Sequence, residues 1–301
     1  MNQDFDFVAA AHTTFNSDGE LVLSGVAKQA EHLRSVGVSG VLVAGSTGEG
    51  SSLTTLERRQ LAERWVEVGG QLEVMIQVGH DSLREAAELA RHAAQIGADA
   101  ICAAPPNWFN ISDTGLLAGT CAEIAAGGPE LPFYYYHIPV LSGVHVKMRG
   151  LLDLVRDSIP NFAGIKFSHD DIEDLEDCLR GHGDKMRMLW GCDEKILTGL
   201  AGGAHGAVGS TYNFAMPLFH KLMAAHAEGD LETAKVWQAR VLQLVETLAS
   251  RGYSPCAKLL MGMLGIECGP ARLPLEQLGP DAPAELRAEL EALGFFDWIA
   301  G

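Results

Sequence analysis

The chain has 301 residues, 47% of them hydrophobic and 20% charged, a length that suits one α/β barrel of roughly 250 residues plus an appendage. A formal charge of −17 argues against nucleic acid and membrane surfaces as partners, since both are met by basic patches. No run approaches the ~18 uninterrupted apolar residues of a membrane span, and Met1-Asn2-Gln3-Asp4 lacks the basic-then-apolar order of a signal peptide.

From Phe7 onward, short β-branched or small apolar runs alternate with longer segments of helical period. The predicted strands are 7–13, 40–44, 74–78, 98–103, 132–136, 162–167, 186–190 and 206–209. Between them lie amphipathic stretches carrying Leu21, Val26, Ala30 and Leu33, then Leu53, Leu56, Leu61 and Trp65, then Leu83, Ala86, Ala87 and Ala90. Spacings of three, four and five place these side chains broadly on one helical face. Thr54 with Glu57 predicts a capping box at the start of the second helix. Eight strand–helix units imply parallel strands joined by helical crossovers, and eight is the number that closes a TIM (β/α)8 barrel. Past about residue 225 the pattern turns to helices alone, predicted over 231–248, 255–264 and 283–293. Gly252, Gly269-Pro270 and Gly279-Pro280 punctuate them. The expected organisation is a barrel over 1–225 and a C-terminal three-helix extension over 226–301 packed on it, with no flexible linker between. The six cysteines, at 102, 121, 178, 192, 256 and 268, show no paired spacing and read as reduced thiols of a cytoplasmic protein.

Lys166 lies inside the apolar run Gly164-Ile165-Lys166-Phe167-Ser168. Lysine is almost never fully buried unless paired or working. Desolvation disfavours an ammonium, so a buried lysine tends toward the free amine that attacks carbonyls to form Schiff bases. The plainer reading is a strand end from which the amine snorkels to solvent. In a barrel, chemistry collects at the carboxyl ends of the strands. After the second predicted strand comes Gly45-Ser46-Thr47-Gly48-Glu49-Gly50, which reads equally as a plain turn or as an anion cradle ahead of a helix. It lacks the lysine of a nucleotide-binding P-loop. The fifth strand ends in Phe133-Tyr134-Tyr135-Tyr136-His137-Ile138-Pro139, and alternation puts Tyr134 and Tyr136 on one side. A phenol at that rim can relay protons, and His137 is read either as structural or as lending support to a neighbour. Gly191-Cys192-Asp193-Glu194 sets two carboxylates after the seventh strand, to accept hydrogen bonds from hydroxyls or merely to favour the next helix start. The cluster Asp170, Asp171, Glu173, Asp174, Glu176 and Asp177 has only the second explanation. Gly209-Ser210-Thr211-Tyr212-Asn213 closes the series with small polar groups.

Together, the Gly-Ser46-Thr47-Gly-Glu49 loop, Tyr136 followed by Ile138-Pro139, and Lys166 resemble the dihydrodipicolinate synthase/N-acetylneuraminate lyase family. The resemblance covers the barrel and extends into Gly269-Pro270-Ala271-Arg272-Leu273-Pro274-Leu275. It implies a class I aldolase in which Lys166 forms the Schiff base and Tyr136 shuttles a proton. It also implies that Ser46 and Thr47 bind a substrate carboxylate, while Ser168, Gly191, Asp193, Glu194 and Ser210 hold a sugar tail. The substrates implied are pyruvate and sialic acid or a related keto sugar acid. The imine serves as electron sink, so neither metal nor bound cofactor is expected, and the family implies a homotetramer. Two departures bear on substrate. Leu141 stands where dihydrodipicolinate synthases carry an arginine, and Pro105-Pro106-Asn107-Trp108-Phe109 offers no tyrosine to reach a neighbouring subunit's site. The competing readings are an aldolase or dehydratase for another 2-keto-3-deoxy sugar acid and a non-catalytic ligand-binding barrel, the latter disfavoured by Lys166 and Tyr136 occurring together.

Overall fold

The computed structural model describes residues 5–300, so the signal-peptide reading of residues 1–4 lies outside the described residues. Eight strands pair in parallel in sequence order, and the last closes on the first to make a barrel. They are β1 (Asp6–Ala10), β2 (Gly40–Val43), β3 (Glu73–Gln77), β4 (Ala100–Ala103), β5 (Phe133–His137), β6 (Phe162–Phe167), β7 (Arg187–Trp190) and β8 (Gly206–Gly209). Most strand residues are buried, because helices cover the outer face and side chains fill the inside. This explains why the strands read in sequence as apolar runs rather than as an alternation. The alternation is nevertheless present in space. Val8, Leu42, Met75, Cys102, Tyr134, Tyr136, Leu189 and Val208 fill the interior, while Val41, Ile101, Tyr135, Ile165 and Trp190 face the helical ring.

One irregularity sets the parity of the site. Phe133 pairs with Phe162 but Tyr134 pairs with Gly164, so β6 carries an extra residue there. Ala163 packs with the interior set and Ile165 with the outer one. Without the extra residue Tyr136 would face Ile165; with it, Tyr136 pairs with Lys166, and Lys166 with Leu189. A one-residue shift exchanges the two faces of a strand, so this bulge is what aims the lysine inward.

The expected capping box is formed: Thr54 Oγ1 accepts from the Glu57 N–H, and the Glu57 carboxylate accepts from the Thr54 N–H, opening the helix Thr55–Val68. That helix buries Arg58, Leu61, Ala62 and Trp65 and leaves Leu56 exposed, which corrects the expected apolar face. A spacing of five turns the chain through about 500°, so Leu56 points some 140° away from Leu61. Leu53 precedes the helix and is buried on its own account. The first strand ends at Ala10, short of the expected 13, and His12 and Thr13 belong to the following loop. Beyond the last barrel helix, Tyr212–Ala227, come Leu231–Ala249, Tyr253–Met263 and Ala282–Leu293, the three expected helices, and a short fourth, Phe295–Ile299. Tyr253–Met263 begins two residues before the sequence suggested, because Pro255 sits in its first turn, where a missing N–H has no intrahelical partner to lose.

Candidate active site

A cavity of about 410 Å³ opens at the carboxyl ends of the strands. Its lining includes all nine residues singled out from the sequence: Ser46, Thr47, Tyr136, Lys166, Ser168, Gly191, Asp193, Glu194 and Ser210. They come from five separate places in the chain and meet because each lies at or just past the end of a barrel strand.

Lys166 and Tyr136 are adjacent in register on β6 and β5 and each is 3% exposed. The Lys166 amine stands 3.8 Å from the centroid of the Tyr136 ring. The Tyr136 and Ser46 hydroxyls lie 3.0 Å apart, so the phenol whose ring faces the lysine is tied to the β2 loop. Cys102, also inside the barrel, is fully buried and its thiol is pushed up to about 12 by burial. That keeps it an apolar filler inside the barrel.

The other rim of the cavity is acidic. Asp193 is 5% exposed and its Oδ2 accepts from both the Thr211 N–H, at 2.8 Å, and the Thr211 hydroxyl, at 2.7 Å. Burial pushes the Asp193 carboxyl up to about 6; the Thr211 bonds pull the other way, and the Glu194 charge adds to the rise. A Cβ built on Gly209 would collide with this carboxylate, so β8 must end in glycine for Asp193 to turn inward. Gly191 has the same relation to Ser168, whose buried hydroxyl has no protein partner. Glu194 is half-buried, and its backbone carbonyl accepts from the Gln238 amide of the helix Leu231–Ala249. Asp193 is thus committed to Thr211, rather than to the start of the helix Ile196–Ala201 as one sequence reading allowed.

Contributors missed in the sequence include Thr211, Tyr253 and Leu275. Thr211 lies in a stretch already marked by small polar residues. Tyr253, whose hydroxyl is 2.7 Å from that of Ser210, and Leu275 both come from the extension. Burial, then the nearby Asp193 charge, drives the Tyr253 phenol above its ordinary range. Leu141 lines the opposite wall. His137 faces outward among Phe167 and His169, with ring centroids 5.0 and 5.4 Å away. Burial, then the adjacent His169, lowers it to about 3, so its ring stays neutral and structural. In the acidic cluster, the Asp171 side chain caps the helix Ile172–His182, and Asp174 accepts from the Met148 N–H at the start of the helix Met148–Val155. Among the described residues, no three His, Cys, Asp or Glu side chains are grouped to hold a metal ion, and no helix is long and apolar enough to cross a membrane.

Residues 5–293 match the dihydrodipicolinate synthetase family. The N-acetylneuraminate lyase of Rattus norvegicus is 39% identical over 297 residues, which span 97% of this chain and 93% of that protein. Among solved structures, the N-acetylneuraminate lyase of Proteus mirabilis superposes with a TM-score of 0.94 at 36% identity, covering 98% of this chain and all of the other. The N-acetylneuraminate lyase of Aliivibrio salmonicida, also called a sialic acid aldolase, gives 0.94 at 34% identity with 98% of each chain covered.

Proposed function

Because the chain belongs to the dihydrodipicolinate synthetase family, we propose that it is a class I aldolase cleaving N-acetylneuraminate to N-acetylmannosamine and pyruvate. The observation that carries the reading is the buried Lys166 amine set over the Tyr136 ring, with the Ser46 hydroxyl 3.0 Å from that phenol, at the floor of one cavity. The names of the similar proteins, cited above, support the choice of substrate.

In this mechanism the Lys166 amine adds to the C2 carbonyl of the open-chain sugar acid, and loss of water leaves a protonated imine. Tyr136, with the substrate carboxylate, takes the proton of the C4 hydroxyl. The C3–C4 electron pair moves into the imine, giving an enamine and releasing the aldehyde of N-acetylmannosamine. Protonation at C3 and addition of water then free pyruvate and restore the amine. Ser46 and Thr47, with the backbone of their loop, hold the carboxylate. Asp193, Glu194, Ser168, Ser210 and the backbone at Gly191 accept and donate along the polyol tail. Leu141 supplies no positive charge to a second substrate carboxylate, which weighs against an aspartate-semialdehyde-like substrate. The same reading includes a homotetramer in the cytoplasm. Trp108 and Phe109, 81% and 72% exposed on the loop after β4, support burial of this face by another copy.

Borohydride added with pyruvate is expected to fix a three-carbon adduct on Lys166, and Lys166→Ala to abolish both adduct and turnover. Mass spectrometry finding the label on another lysine, or none, overturns the mechanism. A coupled assay offering N-acetylneuraminate and 2-keto-3-deoxygluconate side by side decides the sugar.

A further inference from the structure

The loop that carries Ser46 and Thr47 is held in an unusual shape. Ala44 and Glu49, neither of them glycine, both adopt left-handed backbone conformations, with φ of 57° and 54°. Such conformations persist only where the surroundings over-determine them. Within the loop, the Glu49 N–H donates to the Ser46 carbonyl at 3.1 Å and the Gly50 N–H to the Gly45 carbonyl at 3.0 Å. A Cβ on Gly50 would collide with the Ala44 carbonyl, so the turn closes tightly on itself. What fixes it from outside is the Glu49 side chain. One carboxylate oxygen accepts from the Lys258 amine at 2.6 Å and the other from the Arg272 N–H at 2.8 Å. The Lys258 amine also donates to the Pro270 carbonyl at 2.8 Å and stands 4.4 Å from the Phe15 ring centroid. The two charged side chains are 1% and 0% exposed. Neither touches the substrate cavity.

Lys258 belongs to the helix Tyr253–Met263, outside the barrel. The first turn of that helix brings Tyr253 to the cavity, where its hydroxyl meets Ser210. Five residues along, about 7.5 Å of helical rise, Lys258 grips Glu49. One rigid element therefore touches both ends of the cavity, the Ser46–Thr47 loop through a buried ion pair and the Ser210 rim through a phenol. We propose that Glu49 and Lys258 are a positioning pair, through which the C-terminal extension sets the Ser46–Thr47 loop against Lys166 and so determines how tightly the enzyme takes a 2-keto carboxylate. The inference rests on the aldolase reading and gives the extension a positioning role at the Ser46–Thr47 loop.

Borohydride trapping on Lys166, titrated with pyruvate, tests it. Two variants are compared with the full-length wild type: Glu49→Gln/Lys258→Met, which removes both buried charges at nearly constant volume, and Glu49→Gln alone, which lets Lys258 release its proton. For the double variant the half-saturating pyruvate concentration is expected to rise at least tenfold, with the maximal trapped fraction unchanged, and for the single variant three- to tenfold. A purely structural role would lower the melting temperature, or the trapped fraction, and leave half-saturation alone. Half-saturation within twofold of wild type in whichever variant folds overturns the proposal. If the wild type itself shows no adduct on Lys166, the aldolase reading falls first, so the two failures are told apart.

Discussion

Asp193 offers a quantitative test of how the acidic rim is built. Its carboxyl is raised from 3.8 to about 6, chiefly by burial. The folded protein therefore keeps a proton through a pH range in which the unfolded chain has released it. The sign follows directly: stability falls as pH rises wherever the native state binds more protons. The Asp193 contribution is fully favourable below about pH 4 and is lost as pH climbs through 6. With ~1.4 kcal/mol for each unit of displacement, the total is about 3 kcal/mol. Burial raises other carboxyls as well, Glu73 and Asp174 among them. The difference between wild type and Asp193→Asn removes their effect. An amide oxygen can still accept from the Thr211 N–H and hydroxyl, so the variant keeps those bonds and loses only the titration. Urea midpoints measured from pH 4 to 7.5 should show the variant gaining on wild type by about 3 kcal/mol across the range. A difference that does not change with pH would refute the assignment of a buried, ionised carboxylate at this position. If Asp193 accepts from the polyol tail as proposed, the same variant should also take sugar acid poorly at pH 7.

Two further outcomes are expected. Glu194→Gln should lower kcat/KM for N-acetylneuraminate tenfold to a hundredfold, about 1.5–3 kcal/mol for lost bonds to a charged acceptor, and leave pyruvate half-saturation unchanged; equal losses for both ligands would return Glu194 to a structural part. A thiol titration of freshly denatured protein should count six, as all the cysteines are free, and the native protein at pH 7 should yield none quickly. Five are buried, and the sixth, Cys192, is pushed up to about 12 by burial and then by the Glu194 and Asp193 charges.

The barrel was legible because its two periods survive in composition: short apolar runs for strands sealed on both faces, and three-to-four spacing for the helices over them. The candidate site was legible as one cavity because barrel chemistry is confined to strand ends, which reduced eleven histidines and many carboxylates to a few positions. What could not be read depends on distance in sequence or on single-residue geometry. No residue type announces the extra residue at Ala163, yet it decides that Lys166 faces inward. Tyr253 is 43 residues from Ser210, and Lys258 is 209 residues from Glu49. Each reads locally as an ordinary helical residue. Leu56 failed for the opposite reason, because a spacing of five was treated as though it shared a face with spacings of three and four.

The charge map explains how a chain of −17 can accept an anionic substrate. Several carboxylates around the barrel mouth are occupied by partners: Glu49 by Lys258, Glu57 by Arg272, Asp170 by Lys195 and Asp171 by Lys147. Inside the cavity, Ser46 and Thr47 follow β2 and present hydroxyls, Asp193 and Glu194 follow β7, three strands away round the barrel, and the charge of Lys166 on β6 is felt at Asp193. A molecule with a carboxylate at one end and hydroxyls along the rest is favoured in a single direction. Reversed, it would set its anion against two carboxylates, one of them already disfavoured in its charged form by burial. In that direction, the mechanism proposed above brings the carbon next to the carboxylate to Lys166. Under the proposed mechanism, the polarity of the cavity would select both the class of substrate and the carbonyl that reacts, with groups that leave the strongly negative exterior untouched.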